Sequence, residues 1–235
     1  SLRSDLEVRA PRALAVLDPL KVVIDNYPDG PGEAFEVPLY TQDPERTETR
    51  LVPFGKEVYI EKADFMEEPV RKFFRLAPGR EVRLFKAYYI TCTDVVKDEA
   101  GNVIELHATY DPESKGGMSP DGRRVKGTLH WVSAEKALDA EVRLYDRLFA
   151  VENPNDVPEG KTFLDLLNPD SLNVVHAKVE PYLGTAPQGL QYQFMRKGYF
   201  ILDPDSDEQQ LVFNRAVALR DSWARMNKNK GKKKN

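Results

Sequence analysis

Cysteine is almost missing from this chain: Cys92 is the single one in 235 residues. No internal disulfide framework can exist, which fits a reducing compartment. Cys92 stands between two threonines in a strand-like run, where a structural thiol is expected rather than a nucleophile. Histidine is scarce too. His107, His130 and His176 lie far apart and no Cys or His pair has zinc-ligand spacing, so no metal site is expected. No apolar run approaches the roughly 18 residues of a membrane span. No signal peptide is visible either, and the expectation is a soluble, cytoplasmic protein without membrane partners. Excess positive charge is also lacking. The net charge is -4, so the overall basic footprint of most nucleic-acid binders is absent and any such binding must rest on a local patch. There is no Gly-x-Ser-x-Gly elbow, no phosphate-cradling glycine loop and no dinucleotide fingerprint. Asp and Glu number 38, yet no motif singles out a catalytic pair, and no active site is legible.

What is present is strand pattern. In Ala140–Phe149, Val142, Leu144 and Leu148 alternate with Arg143, Tyr145 and Arg147, a period of two. In Val125–Ser133, Val125, Leu129 and Trp131 alternate with Lys126, Thr128 and His130. Either these are two half-buried strands with a solvated polar face, or the polar face tracks a polyanion. Further strands are read at 20–26, 35–40, 57–61, 81–93, 103–110, 173–180, 190–196, 199–202 and 212–219, with turn chemistry between them. Helix is confined to the first residues, where Pro11 interrupts it, and to short turns near 62–69 and 162–167. Many short strands at regular spacing predict an all-β protein of sandwiches or small closed barrels, as one large unit or two smaller ones. The Gly-, Ser- and Pro-rich loop 113–122 is the best internal boundary. No short-period sequence repeat is visible, so any doubling of the fold is structural only. The tail, Lys228–Asn235, is basic and expected to be disordered.

Basic and aromatic residues interleave in three places: Arg71–Arg75, Arg83–Tyr88 and Tyr192–Tyr199. Splayed single-stranded bases need such residues, because rings stack on base faces while guanidinium and amide groups bond base edges. Gln193 and Arg196 suit this by type. They are three apart, which on a regular strand points them to opposite faces, so a bulge or turn near Lys197-Gly198 is needed to bring them together.

Several segments carry a family resemblance: Ala10-Pro-Arg-Ala13, Val52-Pro-Phe54, Ala63-Asp-Phe65, Arg75-Leu76, Gly127–Ser133, Glu141–Phe149, Val212-Phe-Asn-Arg215 and Leu219-Arg-Asp221. In this order they resemble the C-terminal half of the glutaminyl-tRNA synthetases, with the eukaryotic-type glutamyl enzymes close behind. The likeness covers about Asp5 to Trp223. It implies two small closed β-barrels, each like a β-barrel ribosomal protein, intertwined in chain order, with few short helices. It implies a connector at 1–19, a mainly distal anticodon-binding barrel at 20–127, a mainly proximal one at 128–224 that shares strands with the N-terminal segment, and the tail at 225–235. The partners it implies are glutamine tRNA and the enzyme's own catalytic half, in a monomer. The catalytic-half signatures His-Ile-Gly-His and Lys-Met-Ser-Lys-Ser are absent, so no cofactor is expected here, and ATP belongs to the missing half of the parent ligase.

The resemblance also implies site residues. Arg12 and Gln193 correspond to readers of the middle anticodon base, Arg75 and Arg196 to readers of the third, and Arg83 to an arginine beside the first. Lys72, Phe74 and Phe85 stand where the best-known bacterial pattern has glutamine, lysine and arginine. The first-base contacts are therefore expected to be rebuilt, with Phe74 or Phe85 stacking.

Overall fold

The computed structural model describes residues 2–43, 45–207 and 209–219, almost all of them strands and the loops between. The tail falls outside the described residues, as do Arg220 and Asp221. Helix α1 (Leu2–Arg9) opens the chain, with Asp5 and Arg9 paired at 3.0 Å one turn apart. Proline at position 11 cannot donate to a helical ladder, and the chain turns into strand. The strands are β1 (Arg12–Ala13), β2 (Ala15–Val16), β3 (Pro19–Ile24), β4 (Glu33–Pro38), β5 (Thr49–Phe54), β6 (Glu57–Glu61), β7 (Glu81–Leu84) and β8 (Tyr89–Lys97). They continue as β9 (Val103–Asp111), β10 (Thr128–Leu129), β11 (Trp131–Ser133), β12 (Leu138–Tyr145), β13 (Leu172–Val179), β14 (Gln191–Phe194), β15 (Gly198–Leu202) and β16 (Leu211–Ala218).

One seven-stranded sheet runs β10-β7-β8-β9-β3-β6-β11 and a second runs β1-β14-β15-β16-β12-β13-β2. The ends of each order explain the shape. β10 and β11 are one stretch interrupted only at His130, and β1 and β2 are one stretch interrupted only at Leu14. In each case a single segment pairs with both edges of its sheet. The sheet closes on itself and leaves no long bare edge. Inward residues of β3 (Leu20, Val22, Ile24) join Phe54, Ile90 and Trp131 in the first core. Val142, Phe194, Phe200 and Phe213 form the second, where the rings of Phe194 and Phe200 stack 4.2 Å apart.

The two barrels share one topology. β7 is parallel to β10 as β14 is to β1, and β6 is antiparallel to β11 as β13 is to β2. β3 lies antiparallel to β6 and parallel to β9, as β12 does to β13 and β16. Only the closing segment differs in origin. It follows the other strands of the first barrel but precedes those of the second. The chain thus leaves β2 for the first barrel and returns through β11 to the second.

Residues 12–16 are the N-terminal strands that the second barrel shares, and 128–133 are the strands that close the first barrel. The run at 81–93 is two strands, split at Lys86, whose φ of 59° breaks the extended chain. His130 is buried at the gap between β10 and β11 and does not lie on a polar face. The basic face of β12 is neutralised: Arg143 pairs with Glu141 at 2.7 Å and with Asp205 at 2.9 Å. That surface is a solvated strand face and not a polyanion track.

Candidate nucleic-acid interface

Arg12, Arg75, Gln193 and Arg196, of the predicted residues, lie where the barrels join. Arg12 of β1 is the register neighbour of Gln193 of β14. The Gln193 amide donates to the Tyr199 hydroxyl at 3.3 Å. After Phe194 the chain turns sharply. Arg196 adopts φ 66°, and Gly198, at φ 145°, restarts the strand where a Cβ would come within 2.6 Å of the Val217 carbonyl. This is the turn needed to free Gln193 and Arg196 from opposite faces. They are three positions apart, so their Cα atoms stand no more than about 11 Å from each other.

Arg196 reaches across to the first barrel. Its Nη1 and Nη2 donate to the two oxygens of Asp64 at 2.6 and 2.8 Å, a fork-on-carboxylate pair. Arg75 Nη1 takes the same carboxylate at 2.7 Å. Asp64 is 1% exposed, in a 3₁₀ turn after β6, and sets the planes of both guanidinium groups. Burial pulls against the charge of Arg196, and Asp64 more than offsets it, so its pKa lies above the ordinary value. Arg196 Nη1 also lies 3.2 Å from His130 Nδ1, while His130 Nε2 is 3.3 Å from Glu61. Guanidinium can only donate, so Nδ1 accepts and Nε2 carries the proton toward Glu61. Burial alone would push the Glu61 carboxyl up. His130 and Lys197, whose Nζ is 2.8 Å away, reverse this and hold it below the usual range. Arg12 is lowered by burial, against the pull of Tyr199 and Glu7. An arginine so shifted is still cationic at neutral pH.

Beside this network lies an open cavity of about 470 Å³ lined by Arg75, Arg196, Lys197, Ala218 and Leu219. Three of these five are cations. The surface continues along the first barrel. Phe74 adjoins Arg75, its carbonyl lies against Gly127 where a Cβ would come within 2.5 Å, and the Gly127 carbonyl accepts from the Arg83 amide at 2.8 Å. Arg83 Nη2 donates to the Tyr89 hydroxyl at 3.3 Å, and its buried Nε has no hydrogen-bond partner. Arg83 repeats the place of Gln193: each sits one residue before the end of its hairpin strand, opposite a tyrosine, beside the closing segment. Phe74 is 51% exposed, and Lys72 is exposed with φ 70°.

Phe85 is partly buried: its ring packs against the first core, and its backbone carbonyl accepts from the Trp131 indole at 3.0 Å. Asp64, His130, Glu61 and Lys197 were not singled out from sequence. Only proximity in space ties them to the arginines, although Ala63-Asp-Phe65 carried part of the family resemblance.

Comparison with known proteins places the two barrels in a family. A family model described as the anticodon-binding domain of class I tRNA synthetases for glutamate and glutamine matches residues 10–111, and a second with the same description matches 128–203. The chain belongs to this family. Glutamine–tRNA ligase of Nitrobacter hamburgensis is 52% identical over 226 residues, 96% of this chain and 40% of the relative. The same ligase of Clostridium kluyveri is 52% identical over 223 residues, 94% and 40%. That of Rhodopirellula baltica is 50% identical over 233 residues, 99% and 38%. The chain spans about 40% of the length of these relatives. As a member of the family it is an anticodon-binding pair of barrels, with each family match covering most of one barrel.

Proposed function

We propose that this chain is the tRNA-reading region of a glutamine–tRNA ligase and that it recognises unstacked anticodon bases. The observation that carries this is the meeting of Arg12, Arg75, Gln193 and Arg196. They come from segments far apart in sequence and are drawn together by register pairing, a strained turn and one shared carboxylate. Guanidinium groups held by Asp64 keep free N–H donors, which suits the paired acceptors of a guanine edge. Arg12 and Gln193 offer donors and one acceptor to a uracil. Arg83 and Lys72 extend the basic surface toward the neighbouring base. Recognition by base edges in pockets fits a chain whose net charge is -4.

Charging tRNA with glutamine, with the ATP it consumes, is assigned to the part of the parent enzyme outside this chain, acting in the cytoplasm as a monomer. That catalytic half is also the occupant we assign to an apolar patch on the second barrel. Leu148, Phe163 and Leu164 are 58%, 56% and 59% exposed in the segment between β12 and β13, where Val151, Val157 and Leu167 are exposed as well. The patch needs a covering partner, and more than half of each relative's length lies outside the matched region.

The test is binding of a glutamine tRNA anticodon stem-loop at physiological salt. Arg196→Ala is expected to weaken it by about 1–3 kcal/mol. Equal wild-type affinity for a stem-loop with an unrelated anticodon would overturn base-specific reading.

A further inference from the structure

Charge is divided unevenly along this chain. Residues 222–235 hold six cations, Arg225, Lys228, Lys230, Lys232, Lys233 and Lys234, and no acid. The 221 residues before them hold the other 28 Lys and Arg against all 38 Asp and Glu, a net charge of -10. A body charged in this way repels a polyanion at long range. The family matches cover 10–111 and 128–203 and give these six cations no role.

The point from which they leave the barrels is fixed. β16 ends at Ala218, and Ala218 and Leu219 line the 470 Å³ cavity beside Arg75, Arg196 and Lys197. Leu219 packs on Leu6, Ala10 and Tyr199, the tyrosine that accepts from the Gln193 amide. Lys228 follows Leu219 by nine residues and Lys234 by fifteen. Even at full extension they lie within about 30 and 50 Å of the cavity lip.

The cavity itself has little charge to spare. Arg75 and Arg196 share the Asp64 carboxylate, and Lys197 is held by Glu61, so three cations face two buried acids. Such contacts aim N–H donors at base edges but leave the phosphates of a bound strand almost uncompensated. Contacts to phosphate supply a large share of the affinity for a nucleic acid, while contacts to bases supply the specificity.

We propose that Arg225 and the lysines of 228–234 are a phosphate-binding arm: tethered at the cavity lip, they take the phosphodiester backbone of the RNA whose bases enter the cavity. This rests on the anticodon reading above, which says where that RNA lies. A lysine meets a phosphate as a point charge, so the arm adds affinity without selecting a sequence. The tether keeps its cations concentrated around RNA that the barrels already hold.

The experiment compares the whole chain with the fivefold variant Lys228→Gln, Lys230→Gln, Lys232→Gln, Lys233→Gln and Lys234→Gln. Thermal melting checks that the barrels are unchanged. Affinity is measured across a range of salt for a glutamine anticodon stem-loop and for one with an unrelated anticodon. The variant is expected to bind both about tenfold more weakly at physiological salt, and to lose about 2 or more from the salt slope, each engaged lysine contributing about 0.7–0.9. The ratio of the two affinities should keep its wild-type value. Unchanged affinity and slope overturn the arm. Tighter binding by the variant also overturns it, because the lysines would then be covering acids of this chain. Phosphatidylserine vesicles are the rival polyanion: lysine-dependent vesicle binding with unchanged RNA affinity assigns the segment to a membrane surface and overturns the arm as well. The anticodon reading fails separately. Equal wild-type affinity for the two loops sinks that reading, and a lysine-dependent salt slope then still upholds the arm's hold on RNA phosphates.

Discussion

The two barrels differ most at the one place where each carries an insertion. Between β3 and β6 the first barrel inserts residues 25–56, and between β12 and β13 the second inserts residues 146–171. The first insertion folds into the β4–β5 hairpin, and Phe35, Val37, Val52 and Phe54 sink into the core. Phe54 meets Trp131 edge-on at 5.0 Å and Phe35 at 5.6 Å. The second forms only a 3₁₀ turn, at whose start the Thr162 amide and hydroxyl donate to Asp165; it buries Leu166 but leaves Leu148, Phe163 and Leu164 more than half exposed. Apolar area removed from water is the main favourable term in folding. The first insertion completes its own barrel, while the second leaves much of its apolar surface exposed.

The sharpest way to break this comparison is at the cores. Trp131 occupies the place in its closing segment that Ala15 occupies in the other. Trp131→Ala is expected to cost about 3–5 kcal/mol in urea unfolding, since it empties the space under the hairpin. Phe163→Ser should change the stability of this chain by no more than about 0.5 kcal/mol. A loss at Phe163 comparable to that at Trp131 would mean that the second insertion is packed within the chain after all.

A comparable loss is expected where the barrels are tied together. Glu61 ends β6 and Glu180 directly follows the equivalent strand β13, yet their partners differ. Glu61 is served by a half-buried Lys197 and by His130. Glu180, fully buried, accepts from Arg50 Nε at 2.6 Å and from the Leu14 amide at 3.1 Å, while its second oxygen has no partner. Burial pushes the Glu180 carboxyl up against the pull of Arg50. Arg50→Met strands that carboxylate and is expected to cost about 3–5 kcal/mol. Lys197→Met leaves His130 in place and should cost about 1 kcal/mol or less. Equal losses in a denaturant titration would show that the two carboxylates are equivalent in energy as well as in position.

A smaller effect separates the reading site from the scaffold. Asp64→Asn removes the charge that fixes Arg75 and Arg196 but keeps its shape. Discrimination between the glutamine anticodon and an unrelated one should fall by about 1–3 kcal/mol, while affinity for the unrelated loop stays the same or rises with the added positive charge. A variant that weakens both loops alike would assign Asp64 to stability alone.

How much of this was legible beforehand depends on whether a feature is local. The alternation of Leu20, Val22 and Ile24, or of Val142 and Leu144, is a property of neighbours and announces strands directly. The break at Lys86 carries no Gly or Pro to mark it, so two strands read as one. The doubling of the barrel is invisible in sequence. Register-equivalent positions hold Trp131 and Ala15, or Arg83 and Gln193, and agree only in occasional pairs such as Tyr89 and Tyr199. The arginines were legible by resemblance, because they lie in quotable segments. Asp64, which organises them, was not, because a buried carboxylate 132 residues from Arg196 has no sequence signature. His130 read as surface because alternation was carried one residue past the point where β10 stops.

Cys92 offers the gentlest test, one that perturbs almost nothing. It lies in β8 of the first barrel, buried, and burial pushes its thiol up to about 11. The thiolate is the reactive species, so alkylation at pH 8 should be negligible while the first barrel stays closed. Cys92 is the only thiol in the chain, so its labelling rate through a urea titration reports the opening of that barrel alone. The Arg50–Glu180 and Arg196–Asp64 bridges tie the barrels into one cooperative unit, and labelling should follow the global unfolding curve. In the Arg50→Met variant the two should separate. If they coincide there too, the barrels are held together by their interlaced closing segments, and the buried ion pair contributes stability without carrying the coupling.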